Sequence, residues 1–270
     1  MSPSKSIVIL IAGLSWGGWL HAQAASPQPA PPAPPAQVAA PPAPASPSAH
    51  PNDSYWQEHD RQLLVDFGGL QHFKEADLKL PAPAPGDQRV VFMGDSITEA
   101  WKLDESFPGK PYINRGISGQ TTPQMLVRFR QDVIDLQPKV VVILAGTNDI
   151  AGNTGPMTLE QTEGNLASMA ELASANGIRV VLCSILPAFD YHWAPGLEPA
   201  PKIAKVNAWL RDYAVARGFV YVDYYAAMKD DRGGLPAALS RDGVHPLPAG
   251  FATMAPLAQA GIEKALKTGN

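Results

Sequence analysis

The sequence has only one cysteine and no excess of basic residues. The first shortage excludes an intramolecular disulfide, and the second argues against a nucleic-acid partner. The one cysteine, Cys183, excludes an intramolecular disulfide, and its position in the apolar stretch RVVLCSI predicts a buried strand residue. The chain has 21 Lys and Arg against 25 Asp and Glu, a formal net charge of −4. Because no basic surface is available to attract phosphates, nucleic acid is not an expected partner.

The apolar run near the start of the chain is too short to cross a membrane comfortably. Residues 7–20 form a run of 14 residues, whereas a membrane-spanning helix needs about 20. Lys5 precedes the run and the tripeptide AQA at residues 22–24 follows it, an order typical of an export signal. We expect residues 1–24 to be a cleaved signal peptide, with no stable membrane insertion afterwards and a periplasmic or secreted protein. An uncleaved anchor is the alternative.

Charge is missing altogether from the next segment, ASPQPAPPAPPAQVAAPPAPASPSAHP, at residues 25–51. A stretch of proline and alanine cannot build a core and favours extended, partly polyproline II conformations. We interpret residues 25–51 as a disordered linker that carries a domain away from a surface. Recognition by a proline-binding module is the alternative.

Strand-like and helix-like patterns alternate from residue 52 onward. The predicted strands are residues 89–93, 112–114, 139–145, 179–185 and 220–224. The predicted helices are residues 123–136, 159–176, 202–217 and 249–267, with residues 54–80 as a helical lead-in packed against the outside of the sheet. Short β-branched strands separated by helices indicate a parallel sheet covered on both faces. The sequence therefore predicts one α/β domain over residues 52–270.

Four short motifs lie where such a sheet binds ligands, outside the carboxyl ends of its strands. GDSIT (94–98), NRGISGQTT (114–122) and GTNDI (146–150) follow the first three predicted strands, and DGVHP (242–246) precedes the last helix. Taken singly, each motif is also explained as a turn or a helix cap. Their joint occurrence indicates a functional site.

The residues in these motifs suit nucleophilic catalysis. The hydroxyl of Ser96 is a weak nucleophile that needs a neighbouring base to take its proton. His245 is the best candidate base because an imidazole titrates near neutral pH, and His192 is the alternative. Asp242, three residues before His245, is close enough on a turn to orient the ring. The backbone N–H groups of Ser96 and Gly119 and the side-chain amide of Asn148 could stabilise a developing oxyanion.

Three other classes of protein compete with this interpretation. An enzyme of the standard α/β-hydrolase type would need a Gly-x-Ser-x-Gly motif, which the sequence does not place at Ser96. In a metallophosphoesterase, metal ligands would come from Asp95, Asn148, Asp149, Asp242 and His245, although two-metal sites usually use several histidines. An inactive relative that binds a glycan is the third alternative.

The four motifs resemble those of the SGNH (GDSL) hydrolase superfamily, over about residues 88–268. The sequence is similar to bacterial secreted or periplasmic lysophospholipase-like and acetylesterase-like members. The resemblance implies a three-layer α/β/α sandwich with a five-stranded parallel sheet, flavodoxin-like, and neither metal nor cofactor. It implies Ser96 as nucleophile, Asp242 and His245 as the rest of a triad, and Ser96, Gly119 and Asn148 as the oxyanion hole. The first motif reads GDSI rather than GDSL, a conservative variant.

The expected function is hydrolysis of carboxylic esters through an acyl-enzyme intermediate. The expected substrate is a small-molecule or glycan ester with a short acyl group, because the sequence has no long aliphatic lid. Phe189, Tyr191 and Trp193, in the loop at residues 186–202, could stack on a sugar, line an acyl pocket or only pack the loop. A lysophospholipase or thioesterase acting on longer chains is the alternative, and acyl transfer to a sugar uses the same residues.

Overall fold

The computed structural model describes residues 53–267. The predicted signal peptide (1–24) and linker (25–51) lie outside the described residues. Among the helices of residues 53–267, none combines the length and the apolar composition that a membrane span requires.

The described residues contain a five-stranded sheet in which every neighbouring pair of strands is parallel. The strands are β1 (Val90–Gly94), β2 (Tyr112–Gly116), β3 (Val140–Leu144), β4 (Arg179–Cys183) and β5 (Val220–Val222). Their order, β2-β1-β3-β4-β5, is that of the flavodoxin-like fold. The predicted fold class is confirmed. The strand order reverses between β1 and β3, which is where such sheets open a crevice for ligands.

Helices cover both faces of the sheet. Within the described residues they are α1 (Asp53–Val65), α2 (Lys74–Lys79), α3 (Ser96–Glu99), α4 (Leu103–Ser106), α5 (Thr122–Asp132), α6 (Thr147–Ala151), α7 (Leu159–Ala175), α8 (Pro199–Arg217), α9 (Tyr224–Met228) and α10 (Pro248–Lys267). Helices α5, α7 and α8 bury apolar side chains in a core on one face, and α3, α4, α9 and α10 do so on the other.

The central strands β1 and β3 are apolar because both of their faces are buried. In β1, Val91 and Met93 enter the core with α5, whereas Val90 and Phe92 enter the core with α10. Cys183 is buried at the end of β4, as predicted, and burial raises the pKa of its thiol to about 12. A thiol so placed stays protonated and unreactive at neutral pH.

The structure corrects several predicted boundaries. The predicted helix at residues 123–136 is the α-helix α5 followed by a separate turn of 3-10 helix, Ile134–Leu136. The predicted strand at residues 220–224 stops at Val222, because the Asp223 carboxylate accepts a hydrogen bond from the Ala226 N–H at 2.9 Å and caps α9.

The predicted helical lead-in consists of the two helices α1 and α2, and it contacts α5 and the edge strand β2. Side-chain amides of Gln124 and Gln131 on α5 donate to the Phe67 and Leu70 carbonyls, each at 2.8 Å. On β2, Arg115 forms an ion pair with Asp77 of α2. The lead-in therefore meets the sheet at its edge strand, and Leu80 at its end packs against the core beside α5.

The passage from β1 into α3 is tight enough to require glycine. A Cβ atom on Gly94 would lie 2.1 Å from the Thr98 Oγ1 and 2.7 Å from the Leu144 carbonyl oxygen. Gly116, its register partner in β2, is equally confined, since a Cβ there would lie 2.1 Å from the Glu99 N. These two glycines let α3 begin directly above the ends of β1 and β2.

Candidate active site

Ser96 is the first residue of α3 and follows the end of β1 by two positions. The preceding residue, Asp95, caps the helix: its Oδ1 accepts a hydrogen bond from the Ile97 N–H at 3.0 Å. Strand and cap together fix the Ser96 side chain at the carboxyl edge of the sheet. Ser96 is partly exposed there, whereas Asp95 beneath it is buried.

Ser96, His245 and Asp242 form a continuous line of side chains. The Ser96 Oγ lies 2.9 Å from the His245 Nε2, and the His245 Nδ1 lies 2.7 Å from the Asp242 Oδ2. With a proton on Nδ1 shared with the carboxylate, Nε2 is free to accept the serine proton. This is the arrangement in which an imidazole can act as a general base toward a hydroxyl.

The Asp242 carboxylate is held by the turn that carries His245. Its Oδ1 accepts hydrogen bonds from the N–H groups of Val244 and His245, at 2.9 and 2.8 Å, and from the Ser240 hydroxyl at 3.0 Å. Partial burial opposes ionisation, but hydrogen bonds from His245 and Val244 outweigh it and hold the pKa of Asp242 well below its usual range. The carboxylate is therefore charged at neutral pH.

Three N–H groups are the candidate donors to an oxyanion: the backbone N–H of Ser96 and of Gly119 and the Asn148 Nδ2. Within residues 53–267, the backbone N–H groups of Ser96 and Gly119 donate to no other backbone or side-chain group. Asn148 lies in α6, directly after β3, and its side chain is buried. Its Nδ2 donates one hydrogen bond to the Gln120 carbonyl at 2.9 Å. An amide nitrogen carries two hydrogens, so one remains for a ligand.

Two of the acidic residues that a metallophosphoesterase would use as metal ligands form hydrogen bonds within the protein instead. Buried Asp149 accepts hydrogen bonds from the backbone N–H and the hydroxyl of Thr122, and buried Asp95 accepts one from Ile97. Burial raises the pKa of Asp95 to about 7. In the described part of the chain, no three or more His, Cys, Asp or Glu residues converge as metal ligands would.

The loop after β4 forms one wall of the site. Trp193 is partly buried, and its ring centroid lies 6.2 Å from that of His245. His192, the alternative base, is exposed and packs edge-on against Trp193 rather than meeting Ser96. Tyr191 is fully buried, and its hydroxyl lies 2.9 Å from the Thr147 Oγ1. Phe189 remains half exposed, with Arg232 over its ring.

One buried charge that supports the site was not singled out from the sequence. The guanidinium of Arg128, on α5, donates to the Gly94 carbonyl at 3.1 Å and to the Gln120 Oε1 at 2.6 Å, and it pairs with Asp132 at 2.9 Å. It thus links the end of β1 to the loop that carries Gly119. The sequence does contain a pattern that indicates this buried ion pair. Arg128 and Asp132 lie four residues apart on the face of α5 that carries its apolar residues.

Comparison with known proteins identifies the family of the chain. The sequence matches the GDSL-like Lipase/Acylhydrolase family over residues 92–253. It is 30% identical over 173 residues to Esterase TesA of Pseudomonas aeruginosa, covering 59% of this chain and 80% of that protein. It is 26% identical over 245 residues to an acetylxylan esterase of Xylanibacter ruminicola, covering 77% of this chain but only 48% of that protein.

Solved structures of similar sequence have the same fold. A GDSL-like lipase of Bacteroides thetaiotaomicron is 44% identical with a TM-score of 0.71, covering 74% of this chain and 99% of that chain. A Bacteroides fragilis protein provisionally named an acylhydrolase is 46% identical with a TM-score of 0.72, covering 75% and 99%. The family match spans more than half of the sequence and includes all four motifs. The resemblance is confirmed: the chain belongs to the GDSL-like lipase/acylhydrolase family and is a carboxylic ester hydrolase.

Proposed function

We propose that the protein is a serine esterase that removes short acyl groups from a carbohydrate or another small ester through an acyl-enzyme intermediate. The observation that carries the proposal is the pair of contacts of the His245 ring, 2.9 Å from the Ser96 Oγ and 2.7 Å from the Asp242 Oδ2. In this proposal Ser96 is the nucleophile, His245 the general base and Asp242 the residue that orients the ring.

Acylation begins when the Ser96 Oγ attacks the ester carbonyl carbon and its proton passes to the His245 Nε2. The carbonyl oxygen becomes an oxyanion and accepts hydrogen bonds from the N–H groups of Ser96 and Gly119 and from the Asn148 Nδ2. His245 then returns the proton to the leaving alcohol as the carbon–oxygen bond breaks. The charge of Asp242 stabilises the imidazolium throughout.

Deacylation repeats these steps with water in place of the serine hydroxyl. His245 takes a proton from the water, whose oxygen attacks the acyl carbon, and the same three donors stabilise the second oxyanion. Collapse releases the carboxylic acid and returns the proton to Ser96. A sugar hydroxyl in place of water would give acyl transfer with the same residues.

The walls of the site support a short acyl group on a polar alcohol. The Tyr191 ring is buried, so it packs the loop rather than contacting a substrate. Trp193 and Phe189 keep exposed surface, and Trp193 lies beside the His245 ring. An aromatic face beside the catalytic histidine suits stacking on a sugar ring. The match to an acetylxylan esterase of Xylanibacter ruminicola points to the same substrate class.

A substrate series tests the proposal. We expect the purified protein to hydrolyse p-nitrophenyl acetate and butyrate faster than the octanoate and palmitate, and to release acetate from acetylated xylo-oligosaccharides. Ser96→Ala should remove all of these activities, and a metal chelator should leave them unchanged. A preference for the long-chain esters would overturn the short-acyl assignment in favour of a lysophospholipase or thioesterase. Activity that survives in Ser96→Ala would overturn the serine mechanism.

A further inference from the structure

The Asn148 carboxamide serves an oxyanion only in one of its two orientations. With Nδ2 toward the substrate it donates a hydrogen bond, whereas a flip by half a turn would present the oxygen and repel the developing charge. The site therefore needs hydrogen-bond partners that fix the orientation of the Asn148 amide. Gln120 contributes through its carbonyl, which accepts one Nδ2 hydrogen at 2.9 Å. The other contact to the amide comes from Asn153.

Asn153 links Asn148 to a second part of the site. Its Nδ2 donates to the Asn148 Oδ1 at 3.1 Å and to the Gly119 carbonyl at 3.2 Å. Its backbone N–H also donates to the Asn148 carbonyl at 3.1 Å. On its other side, the Asn153 Oδ1 accepts a hydrogen bond from the Trp193 Nε1 at 3.2 Å. One side chain therefore contacts two of the residues assigned to the oxyanion hole and the aromatic wall.

The direction of this chain of hydrogen bonds is fixed by the Trp193 N–H, which can only donate, and by the Gln120 and Gly119 carbonyls, which can only accept. The indole N–H requires the oxygen of Asn153 on its side. The nitrogen of Asn153 must then face the Asn148 Oδ1, which leaves the Asn148 Nδ2 for Gln120 and for the oxyanion. A flip of either amide would put two donors or two acceptors in contact and would cost the desolvation of buried polar groups.

We propose that Asn153 and Trp193 are positioning residues for the oxyanion hole, acting through the Asn148 amide. The inference rests on the proposed function, since it assigns Asn148 a part in transition-state stabilisation. Trp193 is itself held in place: its ring stacks on Tyr191 with 4.9 Å between centroids, and Tyr191 contacts Thr147, the residue before Asn148. The loop that forms the substrate wall is thus joined to the oxyanion hole at two points.

Asn153→Asp is the sharpest single test because it keeps the shape of the side chain. The new carboxylate still accepts from the Trp193 indole, but it has no N–H for Asn148 and pulls the Asn148 Nδ2 toward itself. We expect kcat for p-nitrophenyl acetate to fall by roughly 10- to 100-fold with little change in KM. This loss is smaller than the roughly 10²- to 10³-fold loss expected when an oxyanion donor is removed completely. The thermal midpoint, measured alongside, identifies a variant that fails to fold.

Trp193→Phe removes only the indole donor and keeps an aromatic ring on Tyr191. We expect kcat to fall by roughly 3- to 10-fold, as for one lost hydrogen bond. Trp209→Phe is the matched control, because Trp209 is also partly buried and also stacks on a tyrosine, Tyr213, at 4.8 Å between centroids. The control should leave kcat unchanged.

A double-mutant cycle decides whether Asn153 acts through Asn148. If it does, Asn153→Asp should cost little further kcat in an Asn148→Ala protein, in which no amide remains to be positioned. Full additivity of the two losses would overturn the inference while leaving the serine mechanism intact, and so would a rise in KM with kcat unchanged. An Asn148→Ala protein of normal kcat would instead overturn the oxyanion assignment in the proposed function, and the inference with it.

Discussion

At the residue scale, the Asp242 carboxylate decides which nitrogen of His245 carries the proton. Both of its oxygens are engaged, Oδ2 by the ring Nδ1 and Oδ1 by two backbone N–H groups and a hydroxyl. A carboxylate can only accept, so it holds the ring proton on Nδ1 and leaves Nε2 unprotonated toward Ser96.

Asp242→Asn tests this assignment of the tautomer. An amide nitrogen toward Nδ1 would make Nδ1 the acceptor and place the proton on Nε2, where it blocks transfer from Ser96. We expect kcat to fall by roughly 10³- to 10⁴-fold. Asp87→Asn is the control, since Asp87 holds a turn in a comparable way through the Ala84 N–H at 2.8 Å. If Asp242→Asn kept most of its activity, the working unit would be a Ser96–His245 dyad.

Asp95 gives the folded protein a pH dependence of its own. Burial raises its pKa to about 7 in the folded state, against about 3.9 for an exposed aspartate in the unfolded chain. Between these values the unfolded chain loses a proton that the folded chain keeps. The contribution of Asp95 to the free energy of unfolding therefore falls as the pH rises from about 4 to about 7 and levels off above that.

Asp95→Asn should remove this pH dependence. The amide oxygen can still cap the helix through the Ile97 N–H, so folding should be preserved. We expect the variant to gain stability relative to the wild type as the pH rises from about 4 to about 7, by up to about 4 kcal/mol. Urea unfolding at a series of pH values measures the difference. A difference that does not change with pH would show that Asp95 is ionised in the folded protein.

At the element scale, the site depends on how closely α3 approaches the ends of the strands. Gly94 and Gly116 permit that approach because they have no side chains. Similar short helices follow β3 and β5, where α6 carries Asn148 and α9 begins directly after Asp223. Each of these short helices therefore begins within three residues of the carboxyl end of its strand.

Gly94→Ala should both destabilise the protein and displace Ser96. The new methyl group would lie 2.1 Å from the Thr98 Oγ1 and 2.7 Å from a backbone oxygen that cannot move freely. We expect a loss of roughly 1–3 kcal/mol, or roughly 3–10 °C in the thermal midpoint, together with lower kcat. Gly164→Ala is the control: Gly164 is exposed within α7, and a Cβ there contacts nothing within 4 Å. It should raise the midpoint by roughly 2–4 °C, and a similar rise in Gly94→Ala would contradict the account.

The apolar strands were predictable at this scale, whereas their exact ends were not. A strand buried on both faces needs apolar residues throughout, and β1 and β3 show that pattern without interruption, whereas β4 begins with the charged Arg179. The end of β5 depends on a local hydrogen bond from Ala226 to Asp223, which competes with sheet pairing. The break between α1 and α2 contains Gly69 at φ 68° and an Asp66 carboxylate that accepts two backbone N–H groups, each at 2.9 Å.

At the scale of the whole molecule, the site is assembled from segments that are distant in sequence. Ser96 and His245 are 149 positions apart, and Asn148 lies on a third segment. Their meeting was predictable because the carboxyl ends of parallel strands share one edge of the sheet. The contacts of Asn153 and Arg128 were not assigned from the sequence, since they depend on which side chains the folded loops bring within hydrogen-bond distance.

The central claim is that Ser96 is the residue activated for attack, and a fluorophosphonate probe tests it most directly. Attack by the Ser96 Oγ displaces fluoride from phosphorus, the serine proton passes to His245, and a stable phosphonyl serine remains. Intact-protein mass spectrometry of the wild type should show one phosphonyl group per chain, and peptide mapping should place it on Ser96. Ser96→Ala should show none, and His245→Ala should react very slowly. Equal labelling of the Ser96→Ala protein, or an active wild type that takes up no label, would contradict the account.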